Sequence, residues 1–563
     1  MVVWNWLWSS ALGLYLLCSL WFFLCSAIQL HLLWKSWMSR KNASKSAPPT
    51  VNTVSPSADQ LPMVTIQVPV YNERYVIARL LDALGRLEYP KHLFEIQVLD
   101  DSTDDTAAII ASSTSILKEQ GFMVSTLHRT ERQGFKAGAL QAGLPLCRGE
   151  LIAIFDADFT PGKNFLHQMV RNFNDPVVGG VQGRWAHRNL HENWLTVIQS
   201  YLLDSHFTLE QQGRSAAGYY MNFNGTAGMW RKQCIIDSGG WNGEVLTEDL
   251  ELSYRAQLRG WKFVYDESVA VPADLPADVE AFKAQQFRWA KGMAQASLCH
   301  LRSVLRMQIN SAKKIHATFH LLSSVSFLAV LGNILLALPI VIGRHYSTIF
   351  SGYSELIFLT GLTLPMICMY YNAGTKMNLS RKDFWLHLPL FLVVYMALSA
   401  QNTIAVLQGW FGYKTPFVRT PKPDKNNIAY YETSSRLPVT TLFEMFVFVY
   451  SQKNHLLLDY ILVGSMLILP SVLRLNKKAR TIYGAEALLL LPYLMLTKQP
   501  LLPKSPIPIQ AHAKIDPLNV AQLALQTLAK PIRTRRKELI FNIAFTAVAG
   551  LTVLLTRWEK GRS

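Results

Sequence analysis

Leu151–Thr160, LIAIFDADFT, is the stretch from which the rest of the chain can be ordered. Its apolar run, Leu151 to Phe155, reads as a buried strand, and Asp156 and Asp158 follow at its end. Side chains two positions apart on an extended backbone point the same way. Both carboxylates can therefore meet one cation. Two carboxylates, with substrate phosphates and water, suit the hard ions Mg²⁺ or Mn²⁺. Taken alone, the same letters also fit a strand followed by an ordinary polar turn, so the neighbouring segments decide.

Towards the N-terminus, MVTIQVPVY from Met63 reads as a strand, with Asn72 as a cap for a helix over Glu73–Leu87. That helix collects Val76, Ile77, Leu80, Leu81, Leu84 and Leu87 on one face. FEIQVLDDST is a second strand, ending at Asp100, Asp101 and Ser102. A helix over Asp104–Gln120, a short strand MVSTLHR and a helix over Gln133–Ala142 behind Gly134 complete the run. This alternation predicts a parallel α/β sheet, with ligands outside the strand carboxyl ends. Towards the C-terminus, GGVQGRWAHR reads as a strand, Leu195–Glu210 as a helix and YMNFNGTAGMWRK as a small-residue turn region. GEVLTEDLELSYRAQLRGW is a loop entering a helix, and KFVYDESV is another strand. Asp278–Lys313 is basic and amphipathic, as expected of helices lying on a bilayer face.

The chain has 563 residues, 50% of them hydrophobic, and the apolar ones are unevenly placed. Trp6–Trp34 contains no Lys, Arg, Asp or Glu, which exceeds the roughly 20 residues needed to cross a bilayer. With no small-residue cleavage site it reads as an anchor. Lys35, Arg40, Lys41 and Lys45 follow it. The net charge of +17 thus fits membrane-flanking cations better than a nucleic-acid surface, and no nucleic-acid partner is expected. Ser39–Gln60 is polar and reads as a tether. The six cysteines show no metal or disulfide spacing. Beyond Ala317, Phe319–Ile342 and Glu355–Tyr371 read as spans. Phe384–Gln408 contains Gln401 and Asn402, leaving open a re-entrant helix, a broken helix or two passes. Leu437–Val449, His455–Leu475, Thr481–Leu496 and Leu539–Leu555 add further apolar segments, of which three or four count as spans, and Leu501–Gln510 is a Pro-rich loop.

Further motifs join the DAD stretch. PVYNE (Pro69–Glu73) and DDST (Asp100–Thr103) close the first two strands, and RQGFKAGAL sets Lys136 near a helix start, where its charge and backbone N–H groups suit a diphosphate. LTEDLELSYR carries Thr247, Glu248 and Asp249; QQFRW carries Gln285, Arg288 and Trp289. In this order the set resembles the D…DxD…TED…QxxRW signature of the membrane-integrated family 2 glycosyltransferases. That group includes cellulose, mannan, hyaluronan and chitin synthases and ceramide glucosyltransferase. The resemblance covers Met63–Lys313 and the general layout of the spans.

The resemblance implies a Rossmann-like GT-A catalytic domain in the cytosol, inserted between transmembrane helices, and a multi-span α-helical membrane domain. The division it implies is an N-terminal transmembrane helix over 1–38, a linker over 39–61 and the GT-A domain over 62–276. Interface helices over 277–313, a multi-span region over 314–500 with a cytosolic loop at 410–436, a polar loop over 501–538 and a last transmembrane helix over 539–563 follow. The implied reaction is an inverting transfer from a nucleotide sugar, with Mg²⁺ or Mn²⁺. Tyr71, Glu73 and Asp101 should face base and ribose, with Asp100 as the other candidate. Lys136 should hold the diphosphate, Asp158 the metal, and Asp156 the nucleotide or metal. Asp249 should be the general base, with Glu248 beside it on the acceptor side. Gln285 and Arg288 should grip the leaving diphosphate, and Trp289 should stack on the acceptor sugar.

FNGTAG (Phe223–Gly228) resembles the family's acceptor-side loop and brings Asn224 there. KTPFVRTPK (Lys414–Lys422) lies where processive members carry a gating loop, making Phe417, Thr420 and Lys422 candidates. The leading expectation is a polysaccharide synthase that also translocates its product, from UDP-glucose first or GDP-mannose second. The alternative is a single transfer to a lipid such as ceramide or diacylglycerol. A non-catalytic relative is opposed by the presence of Asp158, Asp249 and Arg288. The expected location is the plasma membrane or Golgi; accessory subunits and oligomeric state stay open.

Overall fold

The computed structural model describes residues 2–45, 61–346, 370–373 and 381–413, all within the compact unit Met1–Lys453. Its strands are β1 (Val64–Val70), β2 (Phe94–Asp100), β3 (Met123–His128), β4 (Leu151–Ile154), β5 (Val178–His187), β6 (Gly228–Arg231) and β7 (Lys262–Ala273). They form one sheet in the order β3-β2-β1-β4-β6-β5-β7. β1 runs parallel to β2 and β4, β2 to β3, and β5 to β7. The central strands are covered on both faces, as buried parallel strands require, and their polar residues pair across the register. Thr65 Oγ1 donates to Glu95 at 2.7 Å and Gln67 Nε2 to Gln97 at 2.8 Å.

The sheet is mixed, which corrects the all-parallel expectation: β6 runs antiparallel to both β4 and β5. Its GMWR sequence sits inside the expected turn region, too short and too rich in small neighbours to show a strand pattern.

The helices are α1 (Val2–Lys45), α2 (Ile77–Gly85), α3 (Thr106–Glu119), α4 (Phe135–Gly143), α5 (Phe165–Val170) and α6 (Trp194–Ser205). α6 runs on into a π-helix, His206–Gln211, and then α7 (Gln212–Ala217). After α8 (Lys232–Asp237) and α9 (Glu248–Leu258) come α10 (Val279–Arg306), α11 (Ser311–Leu321), α12 (Val325–Tyr346) and α13 (Arg381–Trp410). The apolar face of α2 is buried, Val76 to Leu87 included. Asn72 does not cap it: the residue adopts φ 55°, and its Oδ1 accepts from the Thr103 N–H at 2.8 Å. α1 continues through Ser39 to Lys45, so any tether begins later.

α10 is packed along its length, against α9, α11 and α13. Ala290 and Ala294 meet Ala405 and Val406 of α13, and Gln401 Nε2 donates to the Lys283 carbonyl at 2.8 Å. Here α13 is one unbroken helix over Phe384–Gln408, where the sequence alone admits a re-entrant helix, a broken helix or two passes. The apolar stretch 319–342 is instead interrupted, because α11 and α12 meet at a 64° bend. Among the described residues one helix, Ser9–Asn42, is long and apolar enough to cross a membrane, or two if that bent pair counts as one span. Most of Glu355–Tyr371, the candidates Phe417, Thr420 and Lys422, and every segment named beyond them lie outside the described residues.

Candidate active site

A cleft of about 240 Å³ opens beyond the carboxyl ends of β1, β2 and β4. Tyr71, Glu73, Asp101, Lys136, Asp156, Asp158, Glu248, Asp249, Gln285, Arg288 and Trp289 all line it. Asp100 does not. Neighbours on a strand face opposite ways, so its carboxylate turns to His128 Nδ1 at 3.0 Å and to the Ser102 N–H at 2.9 Å.

At one end of the cleft Arg129 clamps Asp101, with Nε 2.7 Å from Oδ1 and Nη2 2.6 Å from Oδ2. Arg129 also donates to the carbonyls of Gln133 and Phe135. Gly134 and Phe135 are both left-handed, at φ 70° and 50°, and this reversal launches α4 with Lys136 in its first turn. Arg132 lies 3.4 Å from the Tyr71 ring centroid. Neither arginine was among the sequence candidates, although RTERQGF places both just upstream of Lys136.

Lys136 occupies the centre. Its Nζ is 2.5 Å from Asp156 Oδ1, 2.9 Å from the Gly225 carbonyl and 3.9 Å from Glu248 Oε1. Burial works against the ammonium, yet Asp156, Glu248 and Asp249 hold its pKa above the ordinary value. Burial pushes the Glu248 carboxyl up. Asp249 is pushed up to about 7, by burial first and by the Glu248 charge second. Its Oδ1 accepts from the Leu250 N–H at 2.8 Å. Its Oδ2 faces Gly225, whose φ is +79° and where an added Cβ would come within 2.9 Å. Only glycine lets the loop come this close.

The DAD segment is not the extended strand end expected from sequence. β4 stops at Ile154, and Phe159 N–H closes a turn on the Asp156 carbonyl at 3.0 Å. The two acids are consequently unequal: Asp156 is half-buried, whereas Asp158 is buried. Across the cleft, Gln285, Arg288 and Trp289 share one face of α10, as i, i+3 and i+4 residues must. Burial lowers the Arg288 pKa against the pull of Glu248, Asp156 and Asp249.

The wall beyond Trp289 was not read from sequence. It includes Trp185, His187 and Asp274. His187 Nε2 pairs with buried Asp204 at 2.9 Å. Asp274 is held by Arg79, at 2.8 Å, and by Arg188, and Arg79 also reaches the Asp158 carbonyl at 3.3 Å.

These residues fit a divalent cation. The carboxylates of Asp156 and Asp158 offer hard oxygens, and no cluster of three or more His, Cys, Asp or Glu ligands occurs among the described residues. Mg²⁺-type sites characteristically use one or two carboxylates and complete the set with substrate phosphates.

Residues 62–292 match the family described as Glycosyltransferase like family 2. The chain is 40% identical over 238 residues to glucomannan 4-beta-mannosyltransferase 7 of Arabidopsis thaliana, covering 41% of this chain and 43% of that one. It is 34% identical over 367 residues to probable glucomannan 4-beta-mannosyltransferase 7 of Oryza sativa subsp. japonica, covering 62% and 60%. The chain thus spans about half the length of these curated relatives. Among solved structures, a mannosyltransferase from Pyrobaculum calidifontis in complex with GDP-Man and Mn²⁺ aligns with TM-score 0.47 at 19% identity, over 70% of this chain and 100% of that one. The strand ends that carry Tyr71, Asp101 and Asp158, and the helices that carry Asp249 and Arg288, all lie within the residues that match Glycosyltransferase like family 2, on a mixed sheet.

Proposed function

We propose that this protein is an inverting, metal-dependent hexosyltransferase that moves a mannosyl group from GDP-mannose onto a growing β-linked glycan. The observation that carries the reading is the placement of Asp249, its carboxyl pushed up to about 7, in the same cleft as Lys136, Arg288 and the Asp156/Asp158 pair. The names of the plant relatives favour mannose as the sugar. UDP-glucose is the second donor to be tried.

Asp101, Tyr71 and Glu73 take the base and ribose. Lys136, Arg288 and Gln285 hold the diphosphate, and Trp289 offers its ring to the acceptor. Asp249 accepts the proton of the acceptor hydroxyl as that oxygen bonds to the anomeric carbon. The bond to the diphosphate breaks on the opposite face, so the centre inverts. A divalent cation on Asp158, with Asp156, would neutralise charge building on the leaving diphosphate. A stabilised phosphate needs no second acid. The length and apolar character of Ser9–Asn42 support membrane integration; on the proposed reading the catalytic domain lies on the cytosolic side and the polymer passes across the bilayer.

The test incubates full-length, detergent-solubilised protein with GDP-[¹⁴C]mannose or UDP-[¹⁴C]glucose, Mn²⁺ and total lipid. Label in a lipid-insoluble fraction that β-mannanase digests is the expected result. Label confined to the organic phase would instead identify a lipid glycosyltransferase. Label from neither donor would overturn the reading.

A further inference from the structure

The residues that shape the acceptor side of the cleft trace back to α1. α6 does not continue as an α-helix but opens into the π-helix His206–Gln211. Such a turn is rare, and its wider loop departs from the i→i−4 ladder, so it persists where neighbours hold it. α1 supplies that support. The Thr208 carbonyl, in the middle of the π-helix, receives Arg40 Nη2 at 2.8 Å and Ser36 Oγ at 3.3 Å. Arg40 is itself braced by Glu267 at 2.8 Å. One turn further on, Gly213 lies so near α1 that an added Cβ would come within 2.4 Å of the Leu32 carbonyl oxygen.

The other face of the π-helix reaches the cleft through a directed chain of hydrogen bonds. Gln29 Nε2 of α1 donates to Glu210 Oε1 at 3.3 Å, and His206 Nδ1 lies 3.1 Å from Glu210 Oε2. An ionised carboxylate can only accept. His206 therefore donates through Nδ1 and accepts at Nε2, where Asn224 Nδ2 sits at 3.0 Å. Asn224 Oδ1 in turn accepts from Gln211 Nε2 at 2.7 Å, so every bond in the chain has a consistent direction. Asn224 lines the cleft, and the carbonyl of the next residue, Gly225, holds Lys136.

We propose that α1 is a positioning element for the acceptor loop as well as an anchor. Through Gln29, Ser36 and Arg40 it keeps the π-helix wound, and His206 and Gln211 then fix the Asn224 amide at the acceptor mouth. The catalytic consequence rests on the glycosyl-transfer reading above; the mechanical coupling does not.

The test compares the full-length wild type with Gln29→Leu, His206→Ala and His206→Gln in detergent. Hydrogen exchange at residues 221–228 should rise about threefold or more in Gln29→Leu and His206→Ala, with residues 94–100 unchanged. GDP affinity in Mn²⁺ should be unaltered, while KM for mannotetraose rises about tenfold at similar kcat. His206→Gln, whose amide can accept from Asn224 and donate to Glu210, should restore both readouts. Unchanged exchange at 221–228 in both Gln29→Leu and His206→Ala would overturn the proposal. So would equal losses of GDP affinity and acceptor KM, which mark general loosening. A wild type that transfers from neither sugar nucleotide would sink the functional reading alone, and the exchange data would still decide the coupling.

Discussion

On the side of the cleft proposed to hold the donor, Tyr71, Asp101 and Asp158 each stand just beyond the carboxyl end of a parallel strand, and Lys136 opens a helix behind such a strand. The side proposed to take the acceptor is assembled differently. Asn224 precedes an antiparallel strand, Trp289 lies on a helix packed against α13, and the loop that carries Asn224 is braced by a π-helix resting on α1. The first arrangement is local: a strand end and its turn are enough to aim a side chain. The second is non-local, and each side chain depends on segments far away in sequence. If the two sides are separable, changes on one should leave the binding function of the other intact.

Asp249→Asn is the harshest test of that separation. It keeps the side-chain shape and removes the proton acceptor, so kcat should fall by about three orders of magnitude, within the range of a positioned base. GDP affinity, measured by calorimetry in Mn²⁺, should stay within about twofold; a parallel loss of affinity would break the division. Asp158→Ala probes the opposite side. Nucleotide affinity in Mn²⁺ should drop by about ten- to a hundredfold, as expected when a charged contact is lost, while in EDTA wild type and variant should converge. Equal affinities in Mn²⁺ would remove Asp158 from the metal role. The smallest effect is a pH shift. A base must be ionised to work, so with Asp249 pushed up to about 7, kcat/KM should fall as pH drops through that region. Burial is the larger cause and Glu248 the next, so Glu248→Gln should move the acidic limb to lower pH by a fraction of a unit. An upward or absent shift would contradict the charge coupling.

The same contrast explains what could be read in the letters. The donor half was legible because strand, turn and helix announce themselves within a few residues, and the acids fall where parallel strands end. Even there the backbone changed details: a turn makes Asp156 and Asp158 unequal, and strand alternation sends Asp100 to His128. The acceptor half hid its construction. GMWR is too short to advertise a strand, nothing in DSHFTLEQ signals a π-turn, and no local pattern ties Gln29 to Glu210. Arg129 and Arg132 were visible as charges but not as a clamp, because the clamp exists only once β2 and β3 lie side by side.

Lys136 is surrounded by anionic neighbours, with Asp156 in contact and Glu248 close behind. On the proposed reading, loading the donor is therefore an ion exchange. The diphosphate would replace Asp156 at the ammonium, and that carboxylate could then help Asp158 hold a divalent cation. Cation and nucleotide would then be admitted by a single event, and a neutral sugar arriving alone would find nothing with which to make the trade.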